Sequence, residues 1–291
     1  MILLKWRYYD SVLWDTTKCK TWAYVTMAKQ SNLTIPRLVL QGLRKPRTIG
    51  WALKNPSLTF KVLAKFRYEC NQSDFVARLA DTSTANVSRI YSELKSNDSL
   101  YEHLDKCWNR CQEIPSTKTT GEVRYDIAEI LYALIRVMSP DVVVETGVAQ
   151  GISSTFILQA LADNKRGQLH SIDLPPTGHK LADDRVYFLP QNEQSGWMVP
   201  QKLRSRWHLI LGKSSDELGP LLEELGTINC FFHDSLHTYE NMKAEYEVAW
   251  PFINTILLSH DILDNSAFFE FCRDTNGTIC TYNYFGGIRK K

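Results

Sequence analysis

Residues 142–154 read Val-Val-Val-Glu-Thr-Gly-Val-Ala-Gln-Gly-Ile-Ser-Ser, and a helix-like run leads from them to Leu-His-Ser-Ile-Asp, ending at Asp173. The β-branched run Val142, Val143 and Val144 has no polar alternation, so it predicts a strand buried on both faces, as in a parallel sheet. It stops at Glu145 and then at Gly147 and Gly151, where the backbone must turn tightly and lie close to something. Ser153 and Ser154 offer hydroxyls at the start of the following helix. A second strand, His170 to Ile172, delivers Asp173 at its carboxyl end. In an open α/β sheet, ligands sit outside the carboxyl ends of the strands. Glu145, Gly147, Gly151, Ser153 and Asp173 therefore converge on one predicted crevice.

The rest of the chain repeats the alternation of strand and helix. Strands are predicted at Trp207 to Leu211, Ile228 to Phe232 and Ile256 to Ser259. Helices are predicted at Tyr125 to Met138, Leu218 to Leu225, Tyr239 to Trp250 and Ala267 to Cys272. Thr278 to Tyr282 and Phe285 to Arg289 close the chain as an antiparallel hairpin. The pattern predicts an α/β fold: a doubly wound, mostly parallel sheet of about seven strands over residues 121–291. Residues 1–120 show no β alternation and predict a mainly helical N-terminal extension, with amphipathic helices at Asp74 to Leu79, Asn86 to Leu94 and Leu100 to Cys111. Residues 114–121 read as the linker. The long irregular stretch 175–200, just past Asp173, predicts a functional loop.

The glycine spacing discriminates between phosphate-binding motifs. The dinucleotide fingerprint requires G-x-G-x-x-G, and a P-loop requires Gly-Lys-Ser/Thr after its glycines. This chain has neither. Its E-x-G-x-x-x-G segment resembles that of the class I S-adenosylmethionine (SAM) methyltransferases. That resemblance implies glycines near the methionine part of SAM, with Asp173 at the ribose hydroxyls.

A second constellation stands on the same edge. Two successive strands end in His233-Asp234 and His260-Asp261, and His237 lies three residues past the first Asp. Carboxylate and imidazole together suit a divalent cation, with oxygen-rich sets favouring Mg²⁺ or Mn²⁺. Read separately, the same carboxylates are helix caps and one His is a satisfied core residue.

From about residue 142 to the end, the chain resembles the small-molecule class I methyltransferases that include sugar and macrolide O-methyltransferases. The segments that carry the resemblance are Val-Val-Glu-Thr-Gly-Val-Ala-Gln-Gly, Leu-His-Ser-Ile-Asp-Leu-Pro-Pro, Phe-Phe-His-Asp-Ser-Leu-His-Thr-Tyr-Glu, Glu-Tyr-Glu-Val-Ala-Trp-Pro and Leu-Leu-Ser-His-Asp. Members of that family often carry Asp where His260 stands, and some carry an acid at Leu236. The resemblance, extended to the metal-dependent catechol-type enzymes, implies metal ligands at Asp234, His260 and Asp261, a catalytic base at His237, and Ser214 beside the adenine. It implies a SAM-dependent O-methyltransferase using Mg²⁺ or another divalent metal on a small hydroxylated acceptor, a sugar or secondary metabolite. Two rivals stay open: a metal-independent methyltransferase with His237 as base, on oxygen or nitrogen, and a non-catalytic protein of the same fold.

Charge bounds the partners. The chain carries a formal +2 at pH 7, yet residues 1–70 hold 13 Lys/Arg against 3 Asp/Glu, with Trp6, Trp14, Trp22 and Trp51 among them. Such a segment reads either as a basic cap docked on an acidic domain or as a peripheral membrane contact. Nucleic acid is a poor fit for the domain, because no Asp/Asn-Pro-Pro-aromatic base-flipping motif is present. The prolines of Asp173-Leu-Pro-Pro follow a ribose acid instead. The seven scattered cysteines predict a reducing, cytoplasmic setting without a disulfide framework. Cys107 and Cys111, one helical turn apart, read as packing residues. The helical extension also suits a homo-oligomer contact.

Overall fold

The computed structural model describes residues 56–111, 123–174, 189–190 and 192–291. The tryptophan-rich basic start, the 114–121 linker and residues 175–188 of the long loop lie outside the described residues. Residues 61–291 form one compact unit.

Helices α1 (Pro56–Tyr68), α2 (Gln72–Ala80), α3 (Thr84–Lys95), α4 (Asp98–Cys111) and α5 (Tyr125–Met138) precede the sheet. It then runs β1 (Val142–Thr146), α6 (Ile152–Asn164), β2 (Gln168–Asp173), a 3₁₀ turn (Gln201–Arg206), β3 (Trp207–Leu211), α7 (Ser214–Leu225), β4 (Ile228–His233), α8 (Tyr239–Ala249), β5 (Ile253–Ser259), α9 (Ala267–Asp274), β6 (Gly277–Tyr282) and β7 (Phe285–Lys290). Side-chain caps start four of the helices: Asn71, Ser83, Asn97 and Thr238 accept from the backbone N–H groups of Asp74, Asn86, Leu100 and Asn241, as short polar side chains at N-caps do.

The strand order is β3-β2-β1-β4-β5-β7-β6. The first five strands are parallel, and β7 is antiparallel to both of its neighbours. The seven-stranded, mostly parallel sheet and its terminal hairpin therefore agree with the sequence reading. The unbroken apolar runs follow from burial on both sides. Val143, Cys230, Phe232, Ile256 and Leu258 face a core shared with α2 to α6, whereas Val144, Phe231 and Leu257 face α7, α8 and α9. Successive residues of a strand point to opposite faces, so each must be apolar when both faces are covered.

Helices α2 to α4 contribute to this core. Phe75, Leu79, Ile90, Leu94 and Leu104 pack in one cluster with Ile127, Leu131 and Phe156. Cys107 and Cys111 are buried there, as packing residues. Helix α6 is buried over its first ten residues, which places it between α5 and the sheet. That packing fixes the start of α6, and with it the turn that joins it to β1.

Candidate functional site

The turn after β1 is held by its own backbone. Gly147 (φ +86°) and Gly151 (φ +95°) adopt left-handed conformations that L side chains rarely tolerate. A Cβ on Gly147 would lie 2.1 Å from the Asp234 carbonyl oxygen, and one on Gly151 would lie 2.8 Å from Gly196 Cα. The two glycines thus let this turn lie against the end of β4 on one side and against residues 195–199 on the other. The Gly147 N–H donates to Ile172 O at 2.8 Å, closing the turn onto β2.

Glu145 is fully buried at the end of β1. Its carboxylate accepts from the hydroxyls of Ser153 at 2.5 Å, Ser154 at 2.6 Å and Ser171 at 2.7 Å. Trp207 Nε1 in turn donates to Ser171 Oγ at 2.9 Å. Burial pushes the Glu145 carboxyl up to about 7, against the opposing pull of the three hydroxyls. Glu145 and Ser153 therefore tie β1, α6 and β2 together beneath the glycine turn.

Asp173 sits at the end of β2, 5% exposed. Its Oδ1 accepts from the Val148 N–H at 2.9 Å, and its Oδ2 accepts from the Ser195 hydroxyl. Ser195 belongs to a buried strap that follows the long loop. The Gly196 N–H donates to Ala149 O at 2.8 Å, the Met198 N–H donates to Gln150 O at 3.0 Å, and Trp197 Nε1 donates to Gln150 Oε1. Helix α4 reaches the strap through His103, whose Nε2 lies 2.8 Å from Met198 O, and through Arg110, which stacks over Trp197 and pairs with Glu193.

Four chemistry-bearing side chains gather at the ends of β4 and β5. His260 Nδ1 lies 2.9 Å from Asp234 Oδ1. His237 stands between two carboxylates, with Nε2 3.5 Å from Asp234 Oδ1 and Nδ1 3.7 Å from Asp261 Oδ2. Burial alone would raise the Asp234 carboxyl, but the two imidazoles beside it hold it below the usual range. Burial would likewise lower His260, and the charges of Asp234, Asp261 and Asp264 outweigh it, holding the imidazole up at about 9. Asp261 adopts φ +49°, a conformation uncommon for a non-glycine residue that clusters at functional sites.

Ligand atoms of Asp234, His237 and His260 all lie within 4.8 Å of one another, and those of His237, Asp261 and Asp264 form a second such group. His237 is common to both. Its Nε2 is buried without a hydrogen-bond partner, a costly state for an interior polar atom unless something is there to meet it. With His237 left as a base, the other donors, the His260 imidazole and the Asp234 and Asp261 carboxylates, fit a divalent cation.

A further network underlies this cluster, and neither His233 nor Glu245 was singled out from the sequence for it. Glu245, on α8, accepts from Thr146 Oγ1 at 2.6 Å and Ser235 Oγ at 2.6 Å, and lies 2.7 Å from His233 Nδ1. The Ser214 hydroxyl, at the start of α7, adds to the pull that lowers the Glu245 carboxyl. Burial pushes the Glu245 carboxyl up, but the His233 ring and the hydroxyls outweigh it and hold it at about 2.

The parallel doubly wound sheet with its terminal antiparallel hairpin, the glycine turn after β1 and the acid ending β2 make a Rossmann-like fold of the methyltransferase type. Residues 144–262 match the family described as "Methyltransferase domain", which supports a SAM-dependent methyltransferase. It is similar to the O-methyltransferase from Bacillus cereus in complex with SAH, at 15% identity and TM-score 0.46, over 67% of this chain and 92% of that one. It is similar to the O-methyltransferase TomG from Streptomyces achromogenes, involved in tomaymycin synthesis and solved with SAM, at 14% identity and TM-score 0.48, over 65% and 90% of the two chains. The MycE methyltransferase of mycinamycin biosynthesis, solved with Mg, SAH and mycinamycin VI, is similar at 13% identity and TM-score 0.39, over 54% of this chain and 46% of that one. No curated protein matches the sequence. Among the described residues no helix is long and apolar enough to cross a membrane.

Proposed function

We propose that the protein is a cytoplasmic O-methyltransferase, moving the SAM methyl group to a hydroxyl of a small molecule, a sugar or secondary metabolite, with help from a divalent metal. One observation carries the reading. The glycine turn that would receive the methionine part of SAM lies directly against the backbone of Asp234, so the His/Asp cluster adjoins the place where a methyl group would be delivered.

The reaction asks two things of the protein. The acceptor oxygen must be held in line with the sulfonium methyl, and it must lose its proton as the new bond forms. Asp173 takes the ribose hydroxyls. Asp234 and His260, with Asp261, would hold the metal, which when bound lowers the pKa of a coordinated hydroxyl and offsets developing negative charge. Imidazole in this set moves preference from Mg²⁺ toward Mn²⁺ or a later transition ion. His237 accepts the departing proton, and Asp234 and Asp261 on either side offset the charge the ring acquires. General-base help of this kind is worth roughly 10²–10⁴-fold.

Turnover of SAM with fractionated extract as acceptor, with and without EDTA, tests the reading. Asp234→Ala is expected to abolish metal-stimulated turnover while leaving SAM affinity nearly unchanged. His237→Ala is expected to keep a residual rate that rises with pH, as the acceptor ionises without help. Full activity in EDTA, with His237→Ala dead at every pH, would remove the metal and leave His237 as sole base. Absence of any methyl transfer would favour a binding protein of this fold.

A further inference from the structure

The strap beside the glycine turn, residues 193–199, is neither helix nor strand. Its own backbone bonds close short turns: the Trp197 N–H donates to Gln194 O at 3.1 Å, and the Val199 N–H to Gly196 O at 3.0 Å. A segment without a ladder takes its place from whatever grips it. From β3, the Trp207 indole packs so closely on Gly196 that a Cβ there would lie 2.1 Å from Cη2 of the ring. Arg204 Nη2 donates to Gly196 O at 2.9 Å. A further grip comes from α4, a helix that precedes the matched residues 144–262.

Two side chains of α4 make that grip. Leu100, Leu104, Cys107 and Cys111 turn one face of the helix to the core. His103 and Arg110 stand seven positions apart, two turns along one stripe. His103 Nε2 lies 2.8 Å from Met198 O, and a carbonyl only accepts, so this ring nitrogen donates. Arg110 stacks 4.7 Å over the Trp197 ring and pairs with Glu193. Glu193 and Trp197 lie two residues before and two residues after Ser195, whose hydroxyl donates to Asp173 Oδ2. One guanidinium therefore brackets the hydroxyl that fixes Asp173.

We propose that α4 belongs to the cofactor site, with Arg110 a positioning residue that holds Ser195 on Asp173 and so sets affinity for the ribose of SAM. The proposal rests on the reading that Asp173 takes the ribose hydroxyls. Arg110 acts through Ser195 and not on the cofactor itself. Its planar group stacks on an indole and pairs with a carboxylate at once, which the point charge of a lysine does less well. Without the bracket, the Gly196 and Met198 N–H groups still tie the strap to Ala149 O and Gln150 O. The strap stays docked, and the Ser195 hydroxyl loses its fixed direction.

The test is calorimetric affinity of the full chain for SAH and for the analogue whose ribose lacks both hydroxyls, which offers Asp173 nothing to accept. Arg110→Ala is expected to bind SAH roughly threefold to tenfold more weakly. It should bind the analogue as the unsubstituted protein does, which separates lost positioning from lost folding. Arg110→Lys should recover part of the SAH affinity. Adding Arg110→Ala to Ser195→Ala should cost nothing more, because both act through one hydroxyl. Equal weakening toward SAH and the analogue, losses that add to those of Ser195→Ala, or unchanged SAH affinity in Arg110→Ala would each overturn the proposal while leaving the ribose reading intact. If the unsubstituted protein binds SAH and the analogue alike, or Asp173→Asn binds SAH undiminished, the ribose reading itself fails and the proposal falls with it.

Discussion

Two glutamates, Glu145 and Glu245, are buried at the carboxyl edge of the sheet, and both accept hydrogen bonds from hydroxyls. Their acidities are driven in opposite directions. Glu145 meets the hydroxyls of Ser153, Ser154 and Ser171 and is pushed up by burial to about 7. Glu245 meets hydroxyls and the His233 ring, and is held at about 2 despite burial. A hydroxyl supplies a dipole, which offsets desolvation only in part, whereas an imidazole can supply a charge. The half of the site proposed for SAM therefore rests on a carboxyl that shares a proton near neutrality. The His/Asp half rests on one that stays ionised.

The harshest way to break this contrast is to remove Glu245. Glu245→Ala leaves His233, Thr146 and Ser235 facing a buried gap, and breaking such a pair costs about 3–5 kcal/mol. Urea unfolding should show a loss of that size at pH 7. The matching Glu145→Ala should cost clearly less, because only neutral hydroxyls lose their partner. Equal losses would mean that His233 carries no charge that matters to folding.

The second effect is a pH slope. The folded Glu145 binds its proton more tightly than the unfolded chain does, so its contribution is full below about 4.5 and is lost as pH rises to about 7. At about 1.4 kcal/mol per pH unit, that loss approaches about 3 kcal/mol. Glu145→Gln should flatten the stability curve over this window, measured as the wild-type minus mutant difference. Glu245 has the opposite sign: its contribution is present above about 4.5 and falls away only as pH drops toward about 2. A Glu145→Gln difference that does not change with pH would sink the assignment.

How much of this contrast is legible in the sequence follows from distance along the chain. The strands are readable because burial on both faces leaves a local trace, the unbroken runs Val142 to Val144 and Cys230 to Phe232. Asp173, Asp234, His237, His260 and Asp261 are readable because they end strands or follow them closely. The partners are not. Glu245 lies on a helix rich in charge, where a Glu ordinarily faces water, and its Thr146 contact is 99 positions away. Ser195 lies 22 positions past Asp173, beyond a loop with no periodic pattern. Spacing identifies residues placed by one element, and these contacts join two.

Asp173→Asn probes whether the SAM half works through its remaining charge. The carboxylate accepts from the Val148 and Ala149 N–H groups and from the Ser195 hydroxyl, and a hydrogen bond from ribose to a charged acceptor contributes about 1.5–3 kcal/mol. SAM affinity by calorimetry should fall at least tenfold with folding intact, while metal binding at the His/Asp cluster should not change. Loss of both together would mean that the two halves are coupled through the Gly147 turn.

The smallest expected effect sharpens the comparison most, because it asks whether a hydroxyl can orient a carboxylate at a distance from any charge. The Ser195 hydroxyl donates to Asp173 Oδ2 while the Val148 N–H donates to Oδ1, so the carboxylate is fixed from both sides before ribose arrives. Ser195→Ala removes one hydrogen bond worth about 0.5–1.5 kcal/mol. SAM affinity should fall roughly threefold to tenfold, with little change in unfolding free energy, because the strap keeps its backbone bonds to Ala149 and Gln150. The loss should vanish in an Asp173→Asn background, where there is no charged acceptor left to orient. If Ser195→Ala weakens SAM equally in both backgrounds, the strap acts on the cofactor by some route other than Asp173, and the SAM half is not organised by its hydroxyls.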